Sequence, residues 1–377
     1  MRRRPTHEVH VGNIGIGGDN PVRVQSMCTT STMDTDGCVQ QILAIAAAGG
    51  ELVRLTTQGV REAENMKVIR ERVRAAGCDV PLVADVAARY CEKVRINPGN
   101  YVDAARQFKK LEYTDEEYAA ELQKIENRLI PFLNICREHG TAVRIGVNHG
   151  SLSDRIMSRY GDTPAGIVES CMEFLRVCMK EKFLNVVVSI KASNTVVMVE
   201  SVRLLCQAMD AEGMTFPLHL GVTEAGEGED GRLKSAVGIG ALLIDGVGDT
   251  IRVSLSEPPE NEIPVAYSLL QAARLRITKT EYISCPGCGR TLYDLPATIQ
   301  RIKAATSHLT GLKIAIMGCI VNGPGEMADA DYGYVGAARG KVSLYRGKEC
   351  LEKNIPEEEA VQHLLTLIEE DGKKMGK

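Results

Sequence analysis

The chain contains 377 residues, of which 44% are apolar and 25% are charged, and its formal net charge is −4. This length and composition predict a globular protein of two or three domains with sizeable hydrophobic cores. Because the net charge is negative, tryptophan is absent and aromatic residues make up only 4%, we expect no nucleic-acid partner. No apolar run reaches the roughly 18 residues of a membrane-spanning helix, so we expect no membrane partner either.

Short β-rich runs alternate with amphipathic helical stretches up to residue 255. The runs cover residues 22–27, 52–56, 81–86, 93–97, 142–148, 185–191, 217–224 and 250–255. Strands that alternate with helices are typical of parallel βαβ units. Eight such units favour an α/β fold of the closed (β/α)8 or TIM-barrel type. An open, doubly wound sheet is the alternative.

Seven charged residues, each in a different run, stand in otherwise apolar strands. These residues are Arg54, Asp85, Arg95, Arg144, Lys191, Glu224 and Arg252. A buried charge is costly unless it is paired or used, and active sites of this fold lie at the C-terminal ends of the strands. An internal salt-bridge network would explain one or two such residues. Five cations against two acids leave a positive surplus, which predicts an anionic ligand, and the arginine fork suits phosphate.

The composition changes after residue 255. A stretch rich in proline and acidic residues, 257–264, is typical of a domain boundary. We therefore predict a barrel domain at residues 1–264, a linker helix at 265–279 and a smaller α/β domain at 280–377. In the smaller domain we expect a helix at 295–307, strands at 313–317 and 342–345, and a terminal helix at 357–369.

Three of the twelve cysteines share one arrangement in this smaller domain. Cys285 and Cys288 form a C-x-x-C pair, and Cys319 follows in a glycine-rich motif. Three thiolates form an incomplete ligand set for a four-iron cluster, whose fourth iron would take a carboxylate such as Glu326, a water or a substrate oxygen. Structural zinc and a redox pair are the alternatives. Iron–sulfur is favoured because no second Cys or His pair follows Cys319 at short spacing.

The other nine cysteines are scattered through helix-like and strand-like segments. A buried free thiol behaves as a small hydrophobic side chain, so these cysteines need no further ligand role. We recognise no signal peptide, so a disulfide-bonded secreted protein is not expected. The cysteine content therefore predicts a cytoplasmic protein.

The motifs at the cysteines resemble those of the 4-hydroxy-3-methylbut-2-enyl diphosphate synthases, the IspG or GcpE family of the non-mevalonate isoprenoid pathway. They read C-P-x-C-G-R at 285–290 and G-C-x-V-N-G-P-G-E at 318–326. The strand ends are similar as well: V-R-L-T at 53–56, V-R-I-N-P-G-N at 94–100, R-I-G-V-N-H-G-S-L at 144–152 and G-D-T-I-R-V-S at 248–254. The resemblance thus covers nearly the whole chain.

This resemblance implies an activity, a cofactor and a set of site residues. The activity is the two-electron reductive dehydroxylation and ring opening of 2-C-methyl-D-erythritol 2,4-cyclodiphosphate, with ferredoxin or flavodoxin as electron donor and a homodimer as assembly. The implied cofactor is a [4Fe-4S] cluster held by Cys285, Cys288 and Cys319, with Glu326 as its resting fourth ligand. Glu224 would be the acid near the reacting centre. The residues implied to hold the diphosphate are Arg54, Arg95, Arg144, Asn148, Lys191, Arg252 and Ser254.

Two other function classes agree with the residues alone. One is a pterin-type transferase barrel with a structural zinc domain, because such barrels also bind anions at their strand ends. The other is a non-catalytic iron–sulfur sensor or scaffold. Bound iron and sulfide would separate a cluster from zinc, and turnover of the cyclodiphosphate would separate an enzyme from a sensor.

Two connections depart from the family pattern. Only residues 87–93 separate Val86 from Val94, whereas a parallel crossover needs about a dozen residues or more. Residues 110–118 resemble the long form of the family, which carries an extra domain for which this chain has no room. We therefore expect that a loop and helix start after Val86, and a whole middle domain near Ala266–Tyr267, are missing from the sequence. A true deletion would leave a damaged barrel.

Overall fold

The structure is a computed structural model that describes residues 2–85, 87–102, 112–321 and 323–375. The chain divides into two compact units, Met1–Arg276 and Ile277–Lys377. The division falls inside the stretch 265–279 that we assigned to the linker. None of the described helices is long and apolar enough to cross a membrane.

The first unit is built from short strands and longer helices. Its strands are β1 (Val9–Val11), β2 (Ile14–Ile16), β3 (Arg23–Met27), β4 (Leu52–Arg54), β5 (Leu82–Ala84), β6 (Lys93–Ile96), β7 (Ala142–Asn148), β8 (Val186–Lys191), β9 (His219–Leu220) and β10 (Thr250–Ile251). Its helices are α1 (Thr35–Ala47), α2 (Val60–Ala75), α3 (Asp115–His139), α4 (Asp154–Tyr160), α5 (Pro164–Lys180), α6 (Thr195–Ala211), α7 (Gly228–Ile244) and α8 (Glu262–Ala272).

Strands β3 to β10 form a nearly closed parallel barrel. Their order in the sheet is β8-β7-β6-β5-β4-β3-β10-β9. The two end strands are joined by an isolated parallel bridge between Val188 and Leu218. Each of the eight predicted runs contains one of these strands, so the predicted barrel fold is confirmed and the open, doubly wound alternative is wrong.

Alternation along each strand divides the barrel residues between two faces. Val53, Ile145 and Ile190 belong to the core between the strands and the surrounding helices. On the inner face, a separate apolar cluster joins the strands to the β1–β2 hairpin. Its buried members are Val9, Val11, Ile16, Leu52, Val83, Ala142 and Val187. Because Leu52 and Ala142 open their strands, the hairpin closes the N-terminal end of the barrel.

The short connection between β5 and β6 corrects the expectation that residues 87–93 are too few to join two adjacent parallel strands. The two strands pair in parallel, with Val83 opposite Lys93, although no helix lies among the described residues between them. The strands are so short that an irregular chain can return over their length, since each residue spans up to about 3.3 Å. Ala87 and Cys91 are buried and take the place of a crossover helix in the core. Val86, the expected point of omission, lies outside the described residues.

Helix α8 passes through the second expected junction without interruption. Tyr267 donates its hydroxyl proton to the carbonyl of Gly49 at 2.8 Å, and the helix packs against β3. The barrel is therefore not damaged by its short connections. The absence of a middle domain relative to the long form stays a prediction.

The second unit is a mixed five-stranded sheet with helices. Its strands are β11 (Glu281–Ser284), β12 (Lys313–Met317), β13 (Tyr332–Ala338), β14 (Lys341–Arg346) and β15 (Glu349–Pro356), and they are ordered β11-β12-β13-β14-β15. The first three strands are parallel, and the last two join in antiparallel pairs. Its helices are α9 (Leu295–Thr306), α10 (Gly323–Glu326) and α11 (Glu357–Met375). The sequence predicted α9, α11, β12 and β14, whereas β11, β13 and β15 were missed.

We predict that the hairpin seal contributes strongly to barrel stability. Ile16 is fully buried in the inner apolar cluster, so Ile16→Ala should lower the free energy of unfolding by about 2–5 kcal/mol. Urea denaturation followed by circular dichroism measures this loss. The control Val196→Ala removes a side chain that is 62% exposed and should change stability by less than about 0.5 kcal/mol. Equal effects of the two variants would contradict the role of the hairpin.

Candidate active site

Three arginines gather inside the barrel above the inner apolar layer. Arg54 lies two residues beyond Leu52 on β4, and Arg144 lies two residues beyond Ala142 on β7, so each points to the same inner face as its apolar neighbour. Arg95 on β6 is paired in register with Arg144. Along these strands, the inward-facing side chains thus change from apolar at the N-terminal end to cationic toward the C-terminal end. The inward-facing cations form a cationic layer.

The hydrogen bonds of these arginines leave their charge mostly uncompensated. Arg54 donates from Nη2 to Oδ1 of Asp85 at 2.6 Å, which is an ion pair. Within the described part of the chain, Arg95 donates from Nη2 to a neutral group, the carbonyl of Gly146, at 2.9 Å. A Cβ at Gly146 would lie 2.9 Å from Nε of Arg95, so the glycine makes room for this side chain. Arg144 is 2% exposed, and its Nε has no hydrogen-bond partner among the described residues.

Lys191 and Arg252 extend the cationic layer to β8 and to the residue after β10. A Cβ at Gly221 would lie only 2.7 Å from Nζ of Lys191, so a larger residue there would displace the lysine. Arg252 donates two hydrogen bonds to Glu262, at 3.0 and 3.2 Å. Glu262 is 2% exposed and also accepts hydrogen bonds from the Ser26 hydroxyl and the backbone N–H of Leu255. It therefore anchors one cation to α8.

The pKa shifts show the mutual repulsion of these cations. Burial, followed by the charges of Arg54 and Arg95, holds the pKa of Arg144 well below its usual range. Burial and the charges of Arg144 and Arg252 do the same to the pKa of Lys191. Burial and Arg54 lower the pKa of Arg95 to about 10. A bound anion would oppose all these shifts, because it favours the charged form of each group.

The remaining predicted barrel residues lie nearer the surface. The side chain of Asn148, at the end of β7, accepts a hydrogen bond from the N–H of Gly150 at 3.1 Å and is half-buried. Ser254 is half-buried two residues beyond Arg252. Glu224 is exposed in the loop after β9, and its φ of 53° is in the left-handed region that non-glycine residues rarely adopt. Such strained positions concentrate at functional sites.

Several buried polar residues of the barrel interior were not predicted from the sequence. Lys93 and His219 are fully buried, and Lys93 donates from Nζ to Oε1 of Gln25 at 3.1 Å. Strand alternation could have found Lys93, since it lies two residues before Arg95 on the same strand. Glu262 was assigned to the acidic boundary, because nothing in the local sequence distinguishes it from Glu257 and Glu260 beside it.

In the second unit, the structure brings the predicted cluster ligands to one cavity of about 400 Å³. Cys285 follows the end of β11, Cys319 lies beyond the end of β12, and the adjacent strands place their ends together. The residues that line this cavity include all four predicted metal ligands, Cys285, Cys288, Cys319 and Glu326. Glu326 is exposed on α10.

Hydrogen bonds reach two of the three cysteine sulfurs, and the thiolate is the form that binds iron. The backbone N–H of Gly318 donates to Sγ of Cys285 at 3.1 Å. Hydrogen bonds from the backbone and then the side chain of Arg290 lower the pKa of Cys288. The described residues contain no group of three His, Cys, Asp or Glu side chains close enough together to hold a single metal ion. Three thiols and one carboxylate around a shared cavity fit a [4Fe-4S] cluster as ligands.

We predict that Glu262 is needed to keep Arg252 inside the barrel. Glu262→Gln should lower the free energy of unfolding by about 3–5 kcal/mol, because it leaves a buried guanidinium without its counter-charge. Chemical denaturation measures the loss, and Glu64→Gln, a change at an exposed position of α2, is the matched control. In a double-mutant cycle, adding Arg252→Met should recover part of the lost stability. Simple additivity would show that the ion pair has no such role.

Comparison with known families agrees with this architecture. The family model described as the GcpE TIM-barrel domain matches residues 6–267, and the model described as the GcpE protein C-terminal domain matches residues 281–370. Together the two models cover both units of the structure.

Two curated relatives illustrate the similarity. The 4-hydroxy-3-methylbut-2-en-1-yl diphosphate synthase (flavodoxin) of Bacteroides thetaiotaomicron is 46% identical over 604 residues, an alignment that covers 99% of this chain and 98% of the relative. The 4-hydroxy-3-methylbut-2-en-1-yl diphosphate synthase (ferredoxin) of Parasynechococcus marenigrum is 53% identical over 383 residues, with 99% and 96% covered. More than a third of the longer alignment has no counterpart in this chain, which agrees with the expectation that a long form carries additional residues.

Solved structures match the chain only distantly. The truncated 3-deoxy-D-arabino-heptulosonate 7-phosphate synthase of Thermotoga maritima is 9% identical, with a TM-score of 0.45, and the match covers 72% of this chain and 95% of that one. A dihydropteroate synthase of Yersinia pestis is also 9% identical, with a TM-score of 0.44, and covers 72% and 100%. Similarity this low carries no argument for the pterin-type alternative. From the two matched domains and the full-length relatives, we conclude that the chain belongs to the GcpE family of 4-hydroxy-3-methylbut-2-en-1-yl diphosphate synthases.

Proposed function

We propose that this chain reduces 2-C-methyl-D-erythritol 2,4-cyclodiphosphate to 4-hydroxy-3-methylbut-2-enyl diphosphate, a step of the non-mevalonate isoprenoid pathway. Family membership and the names of the full-length relatives support this activity. The observation that carries it in the structure is the uncompensated cationic layer inside the barrel. A doubly charged cyclic diphosphate supplies the negative charge that this layer lacks.

The diphosphate would be held by the side chains that point into the barrel mouth. Arg95 and Arg144 are the best candidates for direct contacts, because no carboxylate among the described residues pairs with either guanidinium. Each offers planar donors that match phosphate oxygens. The proposed substrate-binding residues are Arg54, Arg95, Arg144, Asn148, Lys191, Arg252 and Ser254. Fixed cations of this kind need no reorganisation when the substrate binds.

Glu224 is the proposed proton donor to the departing hydroxyl group. Its strained, exposed backbone position after β9 leaves the carboxyl accessible at the strand-end face. Since the cationic layer would bind the diphosphate, the proton for the leaving hydroxyl group would come from a separate acid at the barrel rim. Glu326 is proposed to act as the exchangeable ligand in the second unit.

A [4Fe-4S] cluster on Cys285, Cys288 and Cys319 is the proposed cofactor, with Glu326 as fourth ligand. When bound, the cluster would supply the two electrons and a Lewis-acidic iron. The four ligand side chains already line one cavity, and Gly318 donates a hydrogen bond to one of the sulfurs. Flavodoxin or ferredoxin, the donors that the relatives' names carry, would reduce it.

We further propose a cytoplasmic homodimer. All twelve cysteines are unpaired in the structure, as expected in a reducing compartment. Because the anion site and the cluster ligands belong to different compact units, the two must meet during catalysis. In a homodimer, the cluster unit of one chain would close on the barrel of the partner.

The cluster assignment makes a prediction about iron content. Substituting Cys285, Cys288 or Cys319 by serine should abolish stable four-iron binding, whereas Glu326→Ala should weaken it less, because water or a buffer anion can replace a carboxylate. Iron and sulfide analysis and the visible absorbance of anaerobically reconstituted protein measure this. Cys350→Ser is the matched control and should bind the full cluster. Full retention in Cys319→Ser would refute the ligand set.

The barrel assignment predicts a separation between binding and turnover. Arg144→Ala and Arg252→Ala should mainly weaken substrate binding, each by about 1.5–3 kcal/mol, since one charged hydrogen bond is lost. Glu224→Gln should lower kcat with little change in affinity. Anaerobic assays with the cyclodiphosphate and a chemical reductant test both. Turnover of Glu224→Gln at the native rate would exclude the proton-donor role, and no turnover by the reconstituted native protein would exclude the proposed activity.

A further inference from the structure

Lys93 has an environment that the proposed substrate contacts do not explain. It opens β6, where its neighbours in register are Val83 and Ala142 of the inner apolar cluster. Its side chain is fully buried. The lysine side chain therefore begins at the level of the inner apolar cluster. It lies between that cluster and the arginines, at the end of the barrel that the β1–β2 hairpin closes.

No counter-charge accompanies this lysine. Its Nζ donates to the neutral side-chain carbonyl of Gln25 on β3, across the barrel interior. In the part of the chain that the structure describes, Lys93 forms no ion pair. A buried ammonium group needs a partner charge or a lower pKa. The described residues provide no partner charge for Lys93.

The groups that face Lys93 are themselves cationic or neutral. Burial, followed by the charges of Arg144 on β7 and Arg54 on β4, lowers its pKa well below the usual range, while the Cys91 thiol opposes this slightly. His219 on β9 is fully buried, and burial together with the charges of Lys191 and Arg144 lowers its pKa well below the usual range. These surroundings thus favour the uncharged form of Lys93 over the ammonium form.

A second observation points to a ligand above this layer. Several buried polar nitrogens of the interior have no hydrogen-bond partner among the described residues. They are Nε2 of Gln25, Nε of Arg54, Nε of Arg144 and Nε2 of His219. Buried donors are normally satisfied, so this set, around one excess of positive charge, indicates a site completed by an anion.

We propose that Lys93 is a proton-coupled counter-charge, which takes up a proton from solvent when the diphosphate binds in the barrel mouth. The inference rests on the proposed function, since it assigns a further residue to the same site. The bound anion would stabilise the ammonium form of Lys93, and no bond of the substrate is formed or broken. Lys93 acts through the arginine layer above it and is therefore a positioning residue.

The direction of the pH dependence follows from this linkage. The anion favours the ammonium form, so the pKa of Lys93 is higher in the complex than in the empty barrel. Below both values, binding needs no proton. Between them, each unit of pH increase costs up to about tenfold in affinity, because one proton must be captured per anion bound.

Inorganic diphosphate is the probe, because it needs neither the cluster nor turnover. Isothermal titration in buffers of different ionisation enthalpy, from about pH 6 to about pH 10, gives the protons taken up and the dissociation constant. Native protein should take up as much as one more proton than Lys93→Met, and its affinity should fall more steeply with pH, by up to about tenfold per unit. Lys93→Gln should behave like Lys93→Met, and it replaces that variant if the latter does not fold.

The control Lys67→Met removes a lysine of α2 whose side chain is 64% exposed, and it should match the native protein. Equal proton uptake and equal pH slopes in native protein and in both Lys93 variants would overturn the inference. If the native enzyme turns over the cyclodiphosphate in that case, the proposed function stands without it. If the native barrel binds no inorganic diphosphate, the inference fails, and turnover of the cyclodiphosphate decides the proposed function separately.

Discussion

Repulsion among buried cations is the constraint on which the barrel of this protein depends. Six basic side chains point into one interior, and among the residues that the structure describes only Asp85 and Glu262 pair with members of the set. The basic residues are Arg54, Lys93, Arg95, Arg144, Lys191 and Arg252. Since burial makes each charge more costly, the fold must hold these groups in place by means other than charge neutralisation. The stored repulsion is what a diphosphate would relieve.

The surrounding structure meets this constraint with packing and a few specific contacts. The β1–β2 hairpin seals the floor with apolar side chains. Gly146 and Gly221 leave space in which Arg95 and Lys191 can lie against the strands. Glu262 binds Arg252 from helix α8, outside the strands. Removal of one of these cations should therefore relieve repulsion and also weaken the attraction for an anion.

The sequence by itself determined the fold class and predicted the chemical type of both sites. Eight apolar runs separated by helical segments can bury their faces in few ways, and each run contains a strand of the barrel. The charged residues within those runs marked the strand ends, since an unpaired charge is rarely tolerated in a strand without a use. The spacing of Cys285, Cys288 and Cys319 likewise indicated a common ligand set. These are local or periodic patterns, which is why they can be read without coordinates.

Only the tertiary structure decided which charges are neutralised and which are not. Glu262 lies in an acid-rich stretch of the sequence, yet the packing of α8 against β3 buries it beside Arg252. Lys93 occupies the first position of β6, and its Nζ reaches the side chain of Gln25 on β3 only because the barrel closes. The helix-free connection between β5 and β6 depends on the shortness of both strands, which sequence patterns overestimated. Pairings between residues far apart in the chain are set by register and shear of the whole sheet, and no local pattern encodes them.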